Sequence, residues 1–368
     1  MVEIELKFQI SEARRTALLK ALDPKKSETI QLQAKYFDTP DRLLAQDGAA
    51  LRQRLEGACW IQTLKAAGKS HLHRFEHNHH LGELESSPEL DLSIYEAIPE
   101  AQQILTQALG SDAAALKLTF ETDIQRTYRV IEFEDAEIEV CLDVGVVRAS
   151  GREQTIHEVE FELKSGSVQS LLAFSFEWVK KYQLWLDVRS KAEMGNLLAL
   201  EQTVSPARFE KEFVLSKKES AAHNLSLLIG QQMQHLLPNI AAISAGVAEQ
   251  SHIDQAQTAL EHLQLTLALF KDWNSNISDK WAMQLGAFKH QFDQLQHLQH
   301  MQDTLGAFLQ NPTTTENLAK DILYAQEKLG NLVKSTQNVH HYLELLMFSL
   351  SSHDQVQKQD LKTYAHNT

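Results

Sequence analysis

Acidic and basic side chains recur at every second residue in several short stretches of this chain. Glu3-Ile4-Glu5-Leu6-Lys7 alternates ionisable with apolar residues, and Glu158-Val159-Glu160-Phe161-Glu162-Leu163-Lys164 repeats the pattern. Side chains of an extended strand point alternately to its two faces, so each stretch has one ionisable face and one apolar face. Leu51-Arg52-Gln53-Arg54-Leu55 projects two guanidiniums to one side, Thr63-Leu64-Lys65 adds an ammonium, and Arg74-Phe75-Glu76 pairs a base with an acid. Glu139-Val140-Cys141-Leu142-Asp143 places two carboxylates on one parity. Carboxylate oxygens are what hard divalent cations prefer, which makes Glu3, Glu5, Asp143, Glu158 and Glu160, with Glu76 and Glu162 on matching parities, candidate metal ligands. Lys7, Arg52, Arg54, Lys65, Arg74 and Lys164 are candidates for binding a dense anion by charge-assisted contacts.

The elements that would position these groups are strands. The plain alternative is a sheet with one face on a core and one in solvent, opposite charges pairing across it. Acid-rich and base-rich stretches, however, lie on different strands, which suits a cavity with a metal wall and an anion wall. Exposed ion pairs are worth only about 0 to 1 kcal/mol, so stability alone gives little reason to gather so many. An antiparallel barrel of about eight strands encloses a lumen wide enough for one small ligand. The expectation is such a barrel, charges inward and apolar parity outward against helices, with hydrated lumen charges because burying unpaired ions costs several kcal/mol each.

Up to about Val188 the chain reads as short strands broken by turn signals such as Asp38-Thr39-Pro40-Asp41, Asp47-Gly48 and Ala149-Ser150-Gly151. Helical periodicity there is confined to residues 12–22, 101–109 and 171–182. After Thr203-Val204-Ser205-Pro206 the texture changes to long helical runs: one around Leu225 to Ile243, then 253–270, 281–309 and 318–350. The predicted architecture is α+β: an eight-stranded antiparallel barrel with flanking helices over residues 1–203, then an all-α bundle over 204–368.

With 368 residues and a net charge of −14, the chain lacks the basic surface a general nucleic-acid binder needs, and no arginine follows Arg208. A basic interior within an acidic protein selects a small anion over a long polymer. No stretch approaches the ~20 apolar residues of a membrane span, and Met-Val-Glu-Ile-Glu is no export signal. Cys59 and Cys141 have no metal-like spacing and read as packing residues in a reducing, cytoplasmic setting. Five histidines between Ser70 and His80 have spacing that could bind a borderline metal; an exposed strand and hairpin is the simpler reading.

The opening Glu3-x-Glu5-x-Lys7 resembles the start of the CYTH superfamily, the triphosphate tunnel metalloenzymes. The likeness continues in order through Tyr36-Phe37-Asp38-Thr39-Pro40, Gly48-Ala49-Ala50-Leu51-Arg52-Gln53-Arg54, Trp60-Ile61-Gln62-Thr63-Leu64-Lys65, Arg74-Phe75-Glu76, Arg126 and Glu158 to Gly166. Ser190-Lys191-Ala192-Glu193-Met194-Gly195-Asn196 is similar to the closing segment, with Met194 and Asn196 where an Arg and a Tyr are expected. The resemblance implies hydrolysis of inorganic tripolyphosphate to pyrophosphate and phosphate with Mg2+ or Mn2+. It adds Arg126 and Lys191 to the substrate-binding set and gives Glu5, Glu76 and Asp143 catalytic roles, with a second metal near Glu76 or Asp143. A class IV adenylate cyclase, a thiamine or nucleoside triphosphatase, and a non-catalytic oligophosphate-binding protein remain alternatives. The helical remainder is similar to a short, degenerate CHAD domain, which implies weak contact with polyphosphate or with other proteins. His252 keeps a histidine of that pattern, and Gln255, Ala259 and His262 stand along the helix where arginines would be expected.

Overall fold

The computed structural model describes residues 2–68, 72–212, 215, 217–271, 275–308 and 311–350. It divides into two compact units, Met1–Ser205 and Pro206–Thr368.

In the first unit, nine strands among the described residues form one antiparallel sheet: β1 (Val2–Gln9), β2 (Glu28–Asp38), β3 (Ala49–Glu56), β4 (Cys59–Ala67), β5 (His73–Glu83), β6 (Lys117–Phe133), β7 (Ala136–Ala149), β8 (Arg152–Ser165) and β9 (Trp185–Leu186). Their order is β5-β4-β3-β2-β6-β7-β8-β1-β9, and β1 also pairs with β5. That pairing, with Glu3 opposite Arg74, closes eight strands into a barrel, while β9 adds only Leu186 and Trp185 beside Phe8 and Gln9. The long β7–β8 hairpin turns at Ser150 and Gly151, both at positive φ (50° and 74°), the backbone a two-residue turn needs to match the strand twist.

The apolar parity packs outward, as expected. Phe161 on β8 lies 5.1 Å from the ring of Phe8 on β1 and 5.2 Å from Phe174 on helix α4 (Val168–Tyr182). This helix starts three residues before the predicted run because the Ser167 hydroxyl accepts the Ser170 N–H and caps it. On the opposite flank Leu51, Leu64 and Phe75 bury against Tyr95 and against Ala101 and Leu109 of helix α3 (Pro99–Leu109). Helices α1 (Glu12–Ala21), α2 (Leu43–Gln46) and α5 (Lys191–Ala199) complete the unit.

Two expectations need correction. The lumen charges are not left to water: Asp143 and Glu158 have no solvent exposure, and ion pairs with Arg126 and Lys7 of neighbouring strands and with Lys191 neutralise them. Nor is the inner face ionic throughout. Leu32, Ala34, Tyr36, Phe120, Ile124, Val147 and Ile156 fill one end with hydrocarbon, joined by Met194 of α5. Gly195 permits the helix to lie this close, since a Cβ there would fall 2.1 Å from the Phe120 ring.

The second unit contains α6 (Ala221–Ser244), α7 (Gln250–Leu269), α8 (Ser275–Leu305), α9 (Pro312–Val333) and α10 (Thr336–Leu350). Trp281, Leu285, Phe288, Phe292 and Leu295, at three- and four-residue spacing, are all buried. The predicted run 318–350 is two helices. Ser335 restarts the chain by accepting the Asn338 N–H on its hydroxyl, while the Asn338 amide donates to Leu332 O of the preceding helix. No helix among the described residues is long and apolar enough to cross a membrane.

Candidate active site

Register, more than any single strand, builds the site. Between β1 and β8, Glu5 faces Glu162, Lys7 faces Glu160 and Gln9 faces Glu158. Between β7 and β8, Glu139, Cys141 and Asp143 face Glu162, Glu160 and Glu158. On β6, Arg126 stands opposite Asp143. Tyr36 and Ala34 of β2 face Arg52 and Arg54 of β3, and Lys65 faces Glu76 across β4 and β5. Residues directly opposite in an antiparallel pair share a face, so the predicted site residues line one surface of the closed sheet.

They sort into groups. In the deepest, one oxygen from each of Asp143, Glu158 and Glu160 lies within 4.8 Å of the others. The Lys191 ammonium, from the first turn of α5, sits 2.8 Å from Asp143 and 2.7 Å from both Glu158 and Glu160. Arg126 reaches both Asp143 oxygens through Nε and Nη2 at 2.7 and 2.6 Å and also Glu160 at 2.5 Å, while Lys7 lies 3.6 Å from Glu158. Burial would raise the Asp143 and Glu160 carboxyls, but Arg126 and Lys191 outweigh it and hold both below the usual carboxylate range. Burial opposes the charges of Arg126 and Lys191 as well, and the same carboxylates keep both cationic.

This group fits a divalent cation on its donor chemistry. Three converging carboxylates offer oxygen alone, the preference of Mg2+ and Mn2+, and a cation, the Lys191 ammonium, already stands at their centre.

A second group surrounds Lys65, which pairs with Glu3 at 2.8 Å and with Glu76. The Thr63 hydroxyl donates to Asn78 Oδ1, whose amide donates to Glu76, so a short chain of hydrogen bonds fixes that carboxylate. Burial, only partly offset by Lys65, and a hydrogen bond with Glu76 push the Glu3 carboxyl up to about 8. Glu76 is held low: burial works against its charge, but Lys65 and the bond from Glu3 prevail. Glu5 pairs with Arg74 at 3.1 Å. Glu162 and Glu139 share Lys164, the most exposed of the eight predicted anion-binding cations. The seven predicted metal ligands therefore share a face but not one centre.

Arg52 and Arg54 form the opposite wall. Arg52 donates to the Tyr36 hydroxyl at 3.3 Å and Arg54 pairs with Glu56, yet the Nε of each is buried without a hydrogen-bond partner. Burial and the neighbouring Arg52 lower Arg54 to about 10, and its pairing with Glu56 only partly offsets them.

Several residues were missed or misread in the sequence. Tyr36 takes part through its hydroxyl and stacks on Phe120 at 4.4 Å; its place on β2, on the parity facing Arg52, was the available signal. Cys141 is buried between two predicted acids and donates to Glu139 at 3.7 Å, so it faces the charged side and not an apolar layer. Asp38 proves structural: its carboxylate accepts the N–H groups of Thr39, Leu44 and Ala45 and so holds α2. Met194 packs within the apolar end, and Asn196 Oδ1 is buried without a hydrogen-bond partner.

Of the clustered histidines, His71 lies outside the described residues. His79 and His80 are exposed on β5, and no three-ligand group among the described residues includes a histidine. His252 serves α7 locally, its Nδ1 accepting the Glu249 N–H. In the second unit His262 pairs with Glu210 at 3.0 Å and Gln255 with His235.

The fold and its inward charges define a class, and comparison with known proteins agrees. The CYTH domain family matches residues 1–195, and the chain belongs to that family. A relative named inorganic triphosphatase from Haemophilus influenzae is 33% identical over 227 residues, 60% of this chain; the match spans only 62% of that relative's length. Among solved structures, the PH1012 protein of Pyrococcus horikoshii is 14% identical, covering 52% of this chain and 98% of its own, with a TM-score of 0.33. The inorganic triphosphatase NE1496 is 17% identical, covering 47% of this chain and 79% of its own, with a TM-score of 0.21.

Proposed function

We propose that the first unit hydrolyses inorganic tripolyphosphate to pyrophosphate and phosphate in the barrel lumen, with Mg2+ or Mn2+. The observation that carries this reading is the placement of a carboxylate centre and an arginine pair on two walls of the lumen. Asp143, Glu158 and Glu160 converge on a cation from one side, while Arg52 and Arg54 stand buried on the other with unsatisfied donors. The activity named for the Haemophilus influenzae relative is consistent with it.

In this reading Lys7, Arg52, Arg54, Lys65, Arg74, Arg126, Lys164 and Lys191 neutralise and orient the phosphates, which is most of what phosphoryl transfer asks of a protein. Glu5, Glu76 and Asp143 orient the attacking water. Asp143, Glu158 and Glu160 would hold the divalent ion, and Glu3 and Glu162, predicted as ligands with them, line the lumen in the neighbouring groups. When bound, that ion supplies charge neutralisation at the phosphate oxygens and a lowered pKa for water. Cross-strand register places the strand-borne donors before substrate arrives, so the backbone has little left to reorganise in the reaction itself. The helical unit is assigned a CHAD-like role in weak contact with polyphosphate or another protein, and the whole chain a cytoplasmic setting.

The test is phosphate release from tripolyphosphate, ATP and thiamine triphosphate, each with Mg2+ and with Mn2+. The expected outcome is a kcat/KM for tripolyphosphate at least about tenfold above the others, a gap of some 1.4 kcal/mol in transition-state binding. Cyclic AMP formed from ATP would move the assignment to a cyclase, and no turnover of any substrate would reject hydrolysis.

A further inference from the structure

The carboxylate group around Lys191 is already balanced. Asp143, Glu158 and Glu160 carry three negative charges, and Lys7, Arg126 and Lys191 carry three positive ones within 3.6 Å. A divalent ion added to this arrangement would bring two uncompensated charges into a space where Asp143 and Glu158 have no solvent exposure. It would also meet the Lys191 ammonium at the point where the three ligand oxygens converge.

We infer that Lys191 is a built-in competitor for the metal seat, and that it makes metal loading depend on the oligophosphate. The inference rests on the proposed reading of the lumen as a metal and phosphate site. Of the three cations, Lys191 pairs with all three carboxylates, whereas Arg126 is fixed by two parallel bonds to Asp143 and Lys7 pairs with Glu158 at 3.6 Å. A lysine is a point charge on four flexible methylenes, so it can leave without moving the backbone. The backbone of α5 is held: the Ser190 hydroxyl accepts the Glu193 N–H at its start, and Met194 and Gly195 pack at the apolar end against Phe120. An oligophosphate entering the lumen offers the ammonium new oxygens. Once the lysine turns to them the three carboxylates lose a cation and gain affinity for a divalent one. Metal and phosphate then bind cooperatively, each favouring the state the other needs.

The experiment is Mn2+ titration of the full chain, followed by the spin-resonance signal of the free aqueous ion, for wild type, Lys191→Met and Lys191→Gln. Without phosphate, both variants should bind Mn2+ at least tenfold more tightly than wild type. With pyrophosphate present, and after correction for the Mn2+ it chelates, wild type should gain at least tenfold and the variants less than threefold. Should a variant fold poorly without metal, the rise in Tm on adding Mn2+ is read instead, and it should exceed that of wild type. Affinities or shifts equal to those of wild type, or smaller in the variants, overturn the competitor role. If wild type still cleaves tripolyphosphate in that case, the functional reading stands and only this inference falls. Mn2+ binding to no form of the protein, with or without pyrophosphate, removes both.

Discussion

Inside the barrel, Asp143 and Glu158 are wholly excluded from solvent and paired with Lys7, Arg126 and Lys191. Inside the helical unit, Trp281 packs on Phe348, and Phe288 on Phe292 and Tyr342, edge to face and tilted at centroid distances of 5.3 to 5.9 Å. The second interior is built for stability, since each buried aromatic removes a large apolar surface from water. The first is not. Breaking a buried ion pair is costly, but replacing the whole set by hydrocarbon is often neutral or stabilising. A lumen that keeps its charges therefore points to a ligand, and the two interiors should respond to substitution in opposite currencies, one in turnover and one in stability.

The largest expected effect is on the barrel side. Glu160→Gln removes a carboxylate that touches both Arg126 and Lys191. It should lower kcat for tripolyphosphate by at least about 10³-fold, some 4 kcal/mol of barrier; Tm should fall as well because a buried ion pair is broken, while circular dichroism at the assay temperature still shows the native fold. A loss below tenfold would mean that the charged interior is structural after all.

Next comes the converse substitution. Phe288→Ala in the helical unit should cost about 3 kcal/mol of stability, the usual range for a fully buried phenylalanine. Chemical denaturation with hydrogen exchange in α8 measures it, and the initial rate under native conditions should stay within about twofold. A large rate loss at unchanged stability would break the division of labour.

Smaller than these, Arg54→Ala removes a cation whose Nε is buried without a hydrogen-bond partner. A hydrogen bond to a charged group is worth about 1.5 to 3 kcal/mol, so KM should rise roughly tenfold to a hundredfold. Competition with sulfate, which should inhibit wild type more than the variant, provides a second readout.

How much of this contrast was readable in the sequence follows from what alternation can carry. Period-two charge placed Glu3, Glu5 and Lys7 on one face without ambiguity, because a strand has only two faces. Barrel closure followed from having such faces on many strands at once. Alternation says nothing about register, and register decides which acids meet: Asp143 and Glu158 converge because β7 and β8 pair through Ser150-Gly151, while Glu3 is carried to Lys65 by its pairing with β5. Hence one expected metal set became several groups. The apolar end escaped notice for a similar reason. Leu32, Ala34 and Ile124 look like ordinary core residues; parity puts Ile124 on the face of Arg126, but only register shows that Leu32 and Ala34 of β2 lie beside it. In the helical run 318–350, periodicity continued across a break that depends on one serine hydroxyl.

The smallest effect separates the two carboxylate groups within the barrel. Glu3 titrates near 8, raised by burial and by its bond to Glu76, whereas Asp143 and Glu160 are held low by Arg126 and Lys191. An unfolded glutamate loses its proton near the ordinary value of 4.5. Between there and about 8 the folded chain holds a proton that the unfolded chain has released, so this group makes stability fall as pH rises. Glu3→Gln keeps a neutral, hydrogen-bonding side chain at every pH. The variant should match wild type near pH 5 and exceed it by about 1 kcal/mol near pH 8, since a pKa difference of even one unit is worth about that much. The low pair predicts the reverse slope, stability lost as pH falls through the acid range, so Tm profiles from pH 3 to 9 separate the groups. A wild-type profile parallel to that of Glu3→Gln above pH 5 would mean that Glu3 is ionised beside Glu76, with Lys65 neutralising both.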